Sequence, residues 1–169
     1  NHLILTGAPG TGKTLIAERI CKLFKGTQYF MSTATSDWST ADTIGSYFPE
    51  IHAGGKFPKI KFKEGIFLRC FRDYANQDDS IHEEKNIRKK CNKWLIIDEM
   101  NRADIDKAFG PFFTILSGYD VVLPHTSSTG RPISIKVTET ADAPRTEISL
   151  DASHIYEISP DWKIIGTLN

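Results

Sequence analysis

The sequence predicts a three-layer α/β domain on a mainly parallel sheet, with small β-hairpin insertions. Three observations carry this prediction. A short apolar run, "HLILT", leads into the glycine-rich loop "GAPGTGKT" at 7–14 and then into a segment with helical spacing. A continuous apolar run, "WLIID" at 94–98, ends in acid, the pattern of a strand buried on both faces. The order strand, helix, strand, helix, strand, helix, strand closes on a further apolar run, "WKIIGTLN" at 162–169. Parallel strands joined by helical crossovers produce such an order.

Each element has its own local signal. "KTLIAERICKLF" places apolar residues at 15, 16, 20, 23 and 24, which predicts a helix with one buried face, ended by Gly26. "TQYFMSTA" at 27–34 reads as the second strand, and "SDWSTADTIGSYFPE" at 36–50 as a loop with one helical turn. "GGKFPKIKFKEG" at 54–65 alternates apolar residues between glycines, which predicts a small hairpin. "GIFLRCFRDYAN" predicts a helix, and the charged stretch 77–93 a solvated surface insertion. "ADIDKAFGPFFTILSG" has helical spacing from 105 to 116, with Asp104 as its cap, Gly118 as its end and a kink at Gly110-Pro111. "YDVVLP" and "RPISIKV" predict hairpin strands, and 138–147 a polar loop.

Composition narrows the class. The chain has 169 residues, 40% hydrophobic and 25% charged, which fits one globular domain with a real core and excludes disorder. Lys plus Arg equals Asp plus Glu at 21 each, so no whole-molecule field pulls the chain towards nucleic acid or anionic membrane. No apolar run reaches the ~20 residues of a membrane helix. Cys21, Cys70 and Cys91 form no CxxC, and we expect reduced thiols in a cytoplasmic protein. The scattered histidines have no zinc-ligand spacing. The first residues already read as strand and the last as a strand cut at its tip, so we expect a piece of a larger protein.

The loop at 7–14 fits GxxxxGK[ST] in full. Glycines let backbone N–H groups turn inward around phosphate oxygens, and the following helix points its positive end at the same place. The expected phosphate cradle is Gly7, Ala8, Pro9, Gly10, Thr11, Gly12, Lys13, Thr14 and Leu15. Lys13 reaches the β- and γ-phosphates, and the Thr14 hydroxyl ligates Mg²⁺. At ordinary residue frequencies such a pattern arises by accident in under about one chain in a hundred of this length. The acidic pair in "WLIIDEMNRAD" suits the metal and water side of the same site. Asp98 is placed to hold magnesium and Glu99 to polarise the attacking water. Asn169 ends the last apolar strand. Its amide suits orienting water or touching the γ-phosphate, but it equally suits a strand-ending turn, and position alone leaves both open.

Together these pieces resemble the AAA+ ATPase core: "GAPGTGKT" is similar to Walker A, "LIIDE" to Walker B and "IIGTLN" to the sensor 1 strand of these P-loop NTPases. "DEMNRADIDKAFGPFFTILSG" resembles the branch that holds McrB-type, MoxR-type and dynein-related ATPases, in which Walker B runs into an Asn-Arg pair, here Asn101 and Arg102. The resemblance implies phosphate and magnesium roles for Lys13 and Thr14, Walker B roles for Asp98 and Glu99, the sensor 1 role for Asn169 and help in positioning water from Asn101. It implies that 1–169 is the large nucleotide-binding subdomain, ending at sensor 1. The C-terminal strand, arginine finger and helical lid of the family lie outside it, since Arg131 and Arg145 fall upstream of sensor 1.

The function so implied is Mg-dependent NTP hydrolysis driving a homo-oligomeric ring, hexameric by the resemblance, in a restriction or defence system. A nuclease or adaptor subunit is an expected partner, with DNA contact through regions outside this chain. ATP is favoured because no NKxD-type guanine-reading element occurs, with GTP as the alternative because McrB-type members prefer it. A P-loop kinase shares the opening loop, but "DEMNRAD" argues against it. A module that binds nucleotide only to assemble is disfavoured by the presence of both Lys13 and Glu99.

Overall fold

The computed structural model describes residues 2–24, 28–50, 58–71, 92–127, 129–138 and 154–169. Its centre is a four-stranded parallel sheet in the order β1 (Leu3–Thr6), β9 (Ile164–Leu168), β5 (Trp94–Asp98), β2 (Tyr29–Thr33). Leu95 and Ile97 of β5 enter one hydrophobic cluster and Ile96 enters the other, all fully buried. This period-two division is what makes "WLIID" continuously apolar: each face of the strand meets a different layer. On β9 Ile164 and Ile165 divide the same way.

One layer is α1 (Lys13–Leu23), which packs Ala17 and Cys21 against Ile96 and Ile165. The buried face of this helix differs from the predicted one, of which only Ile20 packs on this cluster. Leu15, Ile16, Leu23 and Phe24 are exposed, and the small residues at 17 and 21 are the buried ones. The reason is steric: a helix lying close on a sheet presents its smallest side chains at the contact, and volume rather than hydropathy selects the face. The predicted end at Gly26 lies outside the described residues.

The opposite layer holds most of the core. α3 (Ile66–Phe71) and α5 (Phe112–Leu116) meet through Phe67 and Phe112, stacked with centroids 3.9 Å apart, and Trp162 closes edge-on over Phe112 at 5.6 Å. The predicted helix over 103–118 is in fact two short helices, α4 (Ile105–Phe109) and α5. Gly110 at φ 31 and ψ −115 breaks the chain outright, and Pro111 restarts it. Asp104 does cap α4, accepting from the Lys107 N–H at 3.2 Å. The one helical turn predicted in 36–50 is α2 (Thr40–Thr43), held by a capping box between Ser39 and Asp42 and tied to α4 by Thr43 Oγ1 donating to the Ala108 carbonyl.

Both β insertions differ from the predicted ones. β4 (Lys59–Glu64) pairs antiparallel with β3 (Gly45–Glu50), so the hairpin draws its first strand from "GSYFPE", not from within 54–65. Long-range pairing decides this, and the proline at 49 masked the strand signal. β6 (Val121–Thr126) and β7 (Pro132–Val137) pair as predicted, but a third strand, β8 (Ile155–Ile158), joins β7 in parallel and had no counterpart in the sequence reading. Four residues are too short to register as a period, although Ser159-Pro160-Asp161 marks a turn directly after them. Most of the expected insertion at 77–93 and most of the loop at 138–147 lie outside the described residues. Among the described residues no helix is long and apolar enough to cross a membrane.

Candidate functional site

Parallel strands all end at one edge of a sheet, so whatever follows β1, β5 and β9 is gathered there, at the edge where α/β sheets take their ligands. β9 lies between β1 and β5. That order places the end of β9 between the glycine loop and the acidic pair.

The loop after β1 turns on glycines. Gly7, Gly10 and Gly12 have φ of 154, 77 and 81, and a Cβ on Gly10 or Gly12 would meet nothing within 4 Å. Backbone conformation rather than crowding demands glycine there, and the space beside the loop is open. Gly12 begins α1 with no side-chain cap bond and no acid in the first turn, so the helix offers its N–H groups and positive end unopposed. Lys13 is only 8% exposed and folds back to donate to the carbonyls of Gly7 and Ala8, each at 2.8 Å. Thr11 closes the turn by donating to the Ala8 carbonyl at 2.8 Å. Pro9 and Leu15 are both exposed.

The acidic pair stands against this loop. Thr14 Oγ1 donates to Asp98 Oδ1 at 2.6 Å, joining residues 84 positions apart. Glu99 is the one non-glycine with positive φ among the described residues, at 53, and that left-handed turn swings its side chain out of the strand direction. Asn169 Nδ2 donates to Glu99 Oε1 at 2.8 Å, and Asn101 Oδ1 accepts from the Asn169 backbone N–H at 3.2 Å. Arg102 pairs with Glu99 Oε2 across the 3-10 turn Met100–Arg102. The sequence-predicted residues Lys13, Thr14, Asp98, Glu99, Asn101 and Asn169 are therefore gathered at one sheet edge.

Thr167, which is not among the sequence-predicted residues, is 1% exposed. Its hydroxyl donates to Asp98 Oδ1 at 2.6 Å and accepts the Glu99 N–H at 2.9 Å. A signal was available: Thr167 precedes Asn169 by two, so strand alternation puts both on one face.

Comparison with known proteins agrees with this geometry. Residues 2–149 match the family model described as AAA domain (dynein-related subfamily), a span that includes the glycine loop and the acidic pair. The chain is 32% identical over 119 residues to the type IV methyl-directed restriction enzyme EcoKMcrB subunit of Escherichia coli K12, covering 68% of this chain and 22% of that protein. It is 29% identical over 129 residues to the type II restriction enzyme BsuMI component YdiS of Bacillus subtilis, covering 67% of this chain and 36% of that protein. It thus spans well under half the length of either relative. The match over 2–149 shows the family: this chain belongs to the AAA domain family, dynein-related subfamily, as an AAA+ ATPase domain of the McrB-type branch.

Proposed function

We propose that this domain binds a nucleoside triphosphate with Mg²⁺, ATP in preference to GTP, and hydrolyses it as the motor of a ring in a restriction or defence system. The observation that carries this reading is the meeting of loop and acidic pair: Thr14 bonds to Asp98 at 2.6 Å, while Glu99 sits beside it, held by Asn169 at 2.8 Å.

The donor set fits the metal. A hydroxyl and a carboxylate sharing a short contact are hard oxygen ligands of the kind Mg²⁺ takes, with phosphate oxygens supplying the rest. Thr14 and Asp98 would hold the ion, which when bound offsets phosphate charge. The residues of the chain do the remainder. Lys13 exchanges the carbonyls of Gly7 and Ala8 for the β- and γ-phosphates, a trade of one set of charge-assisted bonds for a stronger one. The Gly7–Leu15 backbone lines the phosphates. Glu99 has both oxygens engaged, yet each carboxylate oxygen has two lone pairs, so the group still accepts a proton from an attacking water. Asn169 and Asn101 keep it aimed.

The wider role rests on the relatives, both of which are named as parts of restriction enzymes, one a subunit and one a component. We therefore place residues 1–169 as the large subdomain of a longer motor. A further strand, arginine finger and lid complete the fold elsewhere in the protein, with a nuclease or adaptor subunit as partner and DNA contacted through other regions. A finger given in trans is worth about 10³–10⁵ in rate, so hydrolysis should depend on a neighbouring subunit.

The test is turnover per subunit of the full-length protein across a dilution series, with ATP and with GTP, beside mass by light scattering. Activity should rise with concentration and level off as rings form, with ATP the better substrate. Brisk hydrolysis by a species that stays monomeric would overturn the ring motor, and a GTP preference would overturn the choice of base.

A further inference from the structure

The backbone ladder between β5 and β9 stops at the pair Ile97 and Gly166. The next residue on each strand is a functional one, Asp98 and Thr167, and here the connection passes from backbone to side chain. A hydroxyl has one proton and two lone pairs. Thr167 uses the proton on Asp98 Oδ1, at 2.6 Å, and a lone pair on the Glu99 N–H, at 2.9 Å. At 1% exposure, water does not compete for either bond.

Both bonds bear on the geometry of the acidic pair. Asp98 Oδ1 receives Thr14 from the α1 side and Thr167 from the β9 side, so the carboxylate is pinned between two hydroxyls and its plane cannot rotate without breaking one of them. The Glu99 N–H would otherwise have no ladder partner at the point where its backbone turns to φ 53. A side chain with a Cβ in that region carries a conformational cost, and such a conformer persists only where its surroundings hold it.

We propose that Thr167 is a positioning residue: one hydroxyl sets the carboxylate on the metal side and the turn that aims the carboxylate on the water side, so that both are placed together. The proposal rests on the reading of this site as a Mg²⁺–triphosphate site. Thr167 touches neither the nucleotide nor the ion in this scheme and acts through Asp98 and Glu99.

The experiment compares Thr167→Val, which keeps the shape and loses both bonds, with Thr167→Ser, which keeps both, in the full-length protein. The probes are Mn²⁺, titrated by electron paramagnetic resonance with a non-hydrolysable ATP analogue present, and the same analogue bound without metal. Partners that orient a metal ligand typically account for 10–100-fold in metal affinity. Thr167→Val should therefore weaken Mn²⁺ by about 10-fold or more and lower kcat, while metal-free analogue affinity stays within about two-fold. Thr167→Ser should restore both. If Thr167→Val does not fold, Thr167→Cys takes its place beside Thr167→Ser, since both lose the γ-methyl and the thiol bonds only weakly where the hydroxyl bonds well. Native Mn²⁺ affinity and kcat in the Val or Cys variant, or a Ser variant as impaired as Val, would overturn the assignment of Thr167 alone. A wild-type protein that binds the analogue no better than Lys13→Ala would instead bring down the site reading, and this assignment with it.

Discussion

Replacing Glu99 by Gln separates catalysis from stability at this site. Glutamine keeps the length of the side chain and an oxygen to accept the Asn169 amide, which stands 2.8 Å from Glu99 Oε1. What goes is the negative charge, and with it the pair to Arg102. The Arg102 side chain is 59% exposed, so solvent screens the pair and its loss costs about 0–1 kcal/mol. In a domain of this size that is at most about 4 °C in Tm. Loss of a positioned base is a larger matter, roughly 10²–10⁴-fold in rate. At about 1.4 kcal/mol per decade this is on the order of 3–5 kcal/mol on the barrier. The two magnitudes do not overlap, so scanning calorimetry and single-turnover phosphate release on one preparation decide between them. The expected variant melts close to wild type, binds ATP and Mg²⁺, and fails to turn over. Normal hydrolysis by Glu99→Gln, with Asp98→Asn inactive, would refute the division of roles between the two carboxylates.

Three other outcomes are expected. Lys13→Ala removes a charge-assisted contact to phosphate worth about 1.5–3 kcal/mol, or roughly 10–150-fold in Kd. Titration calorimetry giving equal affinities would dismiss Lys13 as a phosphate ligand. In Gly65→Ala the new Cβ would lie 2.4 Å from the Thr43 carbonyl carbon and 2.5 Å from its oxygen, both backbone atoms of the turn that α2 closes. Overpacking of this kind costs about 1–3 kcal/mol or more, and a Tm within about 1 °C of wild type would show that the turn yields easily. Burial pushes the Cys70 thiol up to about 12, against the opposing pull of Arg69 and Lys93, and its Sγ donates to the Ile66 carbonyl. A raised pKa means the folded state holds the proton more tightly. The resulting stabilisation is fully present below the unfolded thiol's pKa and is lost as pH rises towards 12. Cys70 should therefore resist iodoacetamide at pH 8 in the native protein and react after denaturation, as mass spectrometry of the labelled peptide would show; rapid native labelling would contradict its burial.

The parts of this protein that the sequence by itself determined are those whose signal is local. "GAPGTGKT" needs its glycines because of backbone angles at Gly10 and Gly12, and a φ requirement is written into one residue at a time. The strand at 94–98 is apolar without interruption because both of its faces are covered, and the acid at its end marks the sheet edge. Those two segments, with the apolar run at 162–169, sufficed for the fold class.

Only the tertiary structure decided what depends on contacts between distant segments. The buried face of α1 is Ala17 and Cys21 because the sheet lies close beneath them, and no property of "LIAERICKLF" alone states that distance. The partner of β4 is β3, whose Gly45–Glu50 stretch carries a proline and lies on the far side of the glycines at 54 and 55. Arg102 was legible only as half of an Asn-Arg pair until the 3-10 turn brought it against Glu99. Thr167 shows the limit best. Its spacing of two from Asn169 hints at a shared face, but its reach to Asp98 is undecided until β9 is placed between β1 and β5, and strand order, unlike strand identity, is set by long-range packing.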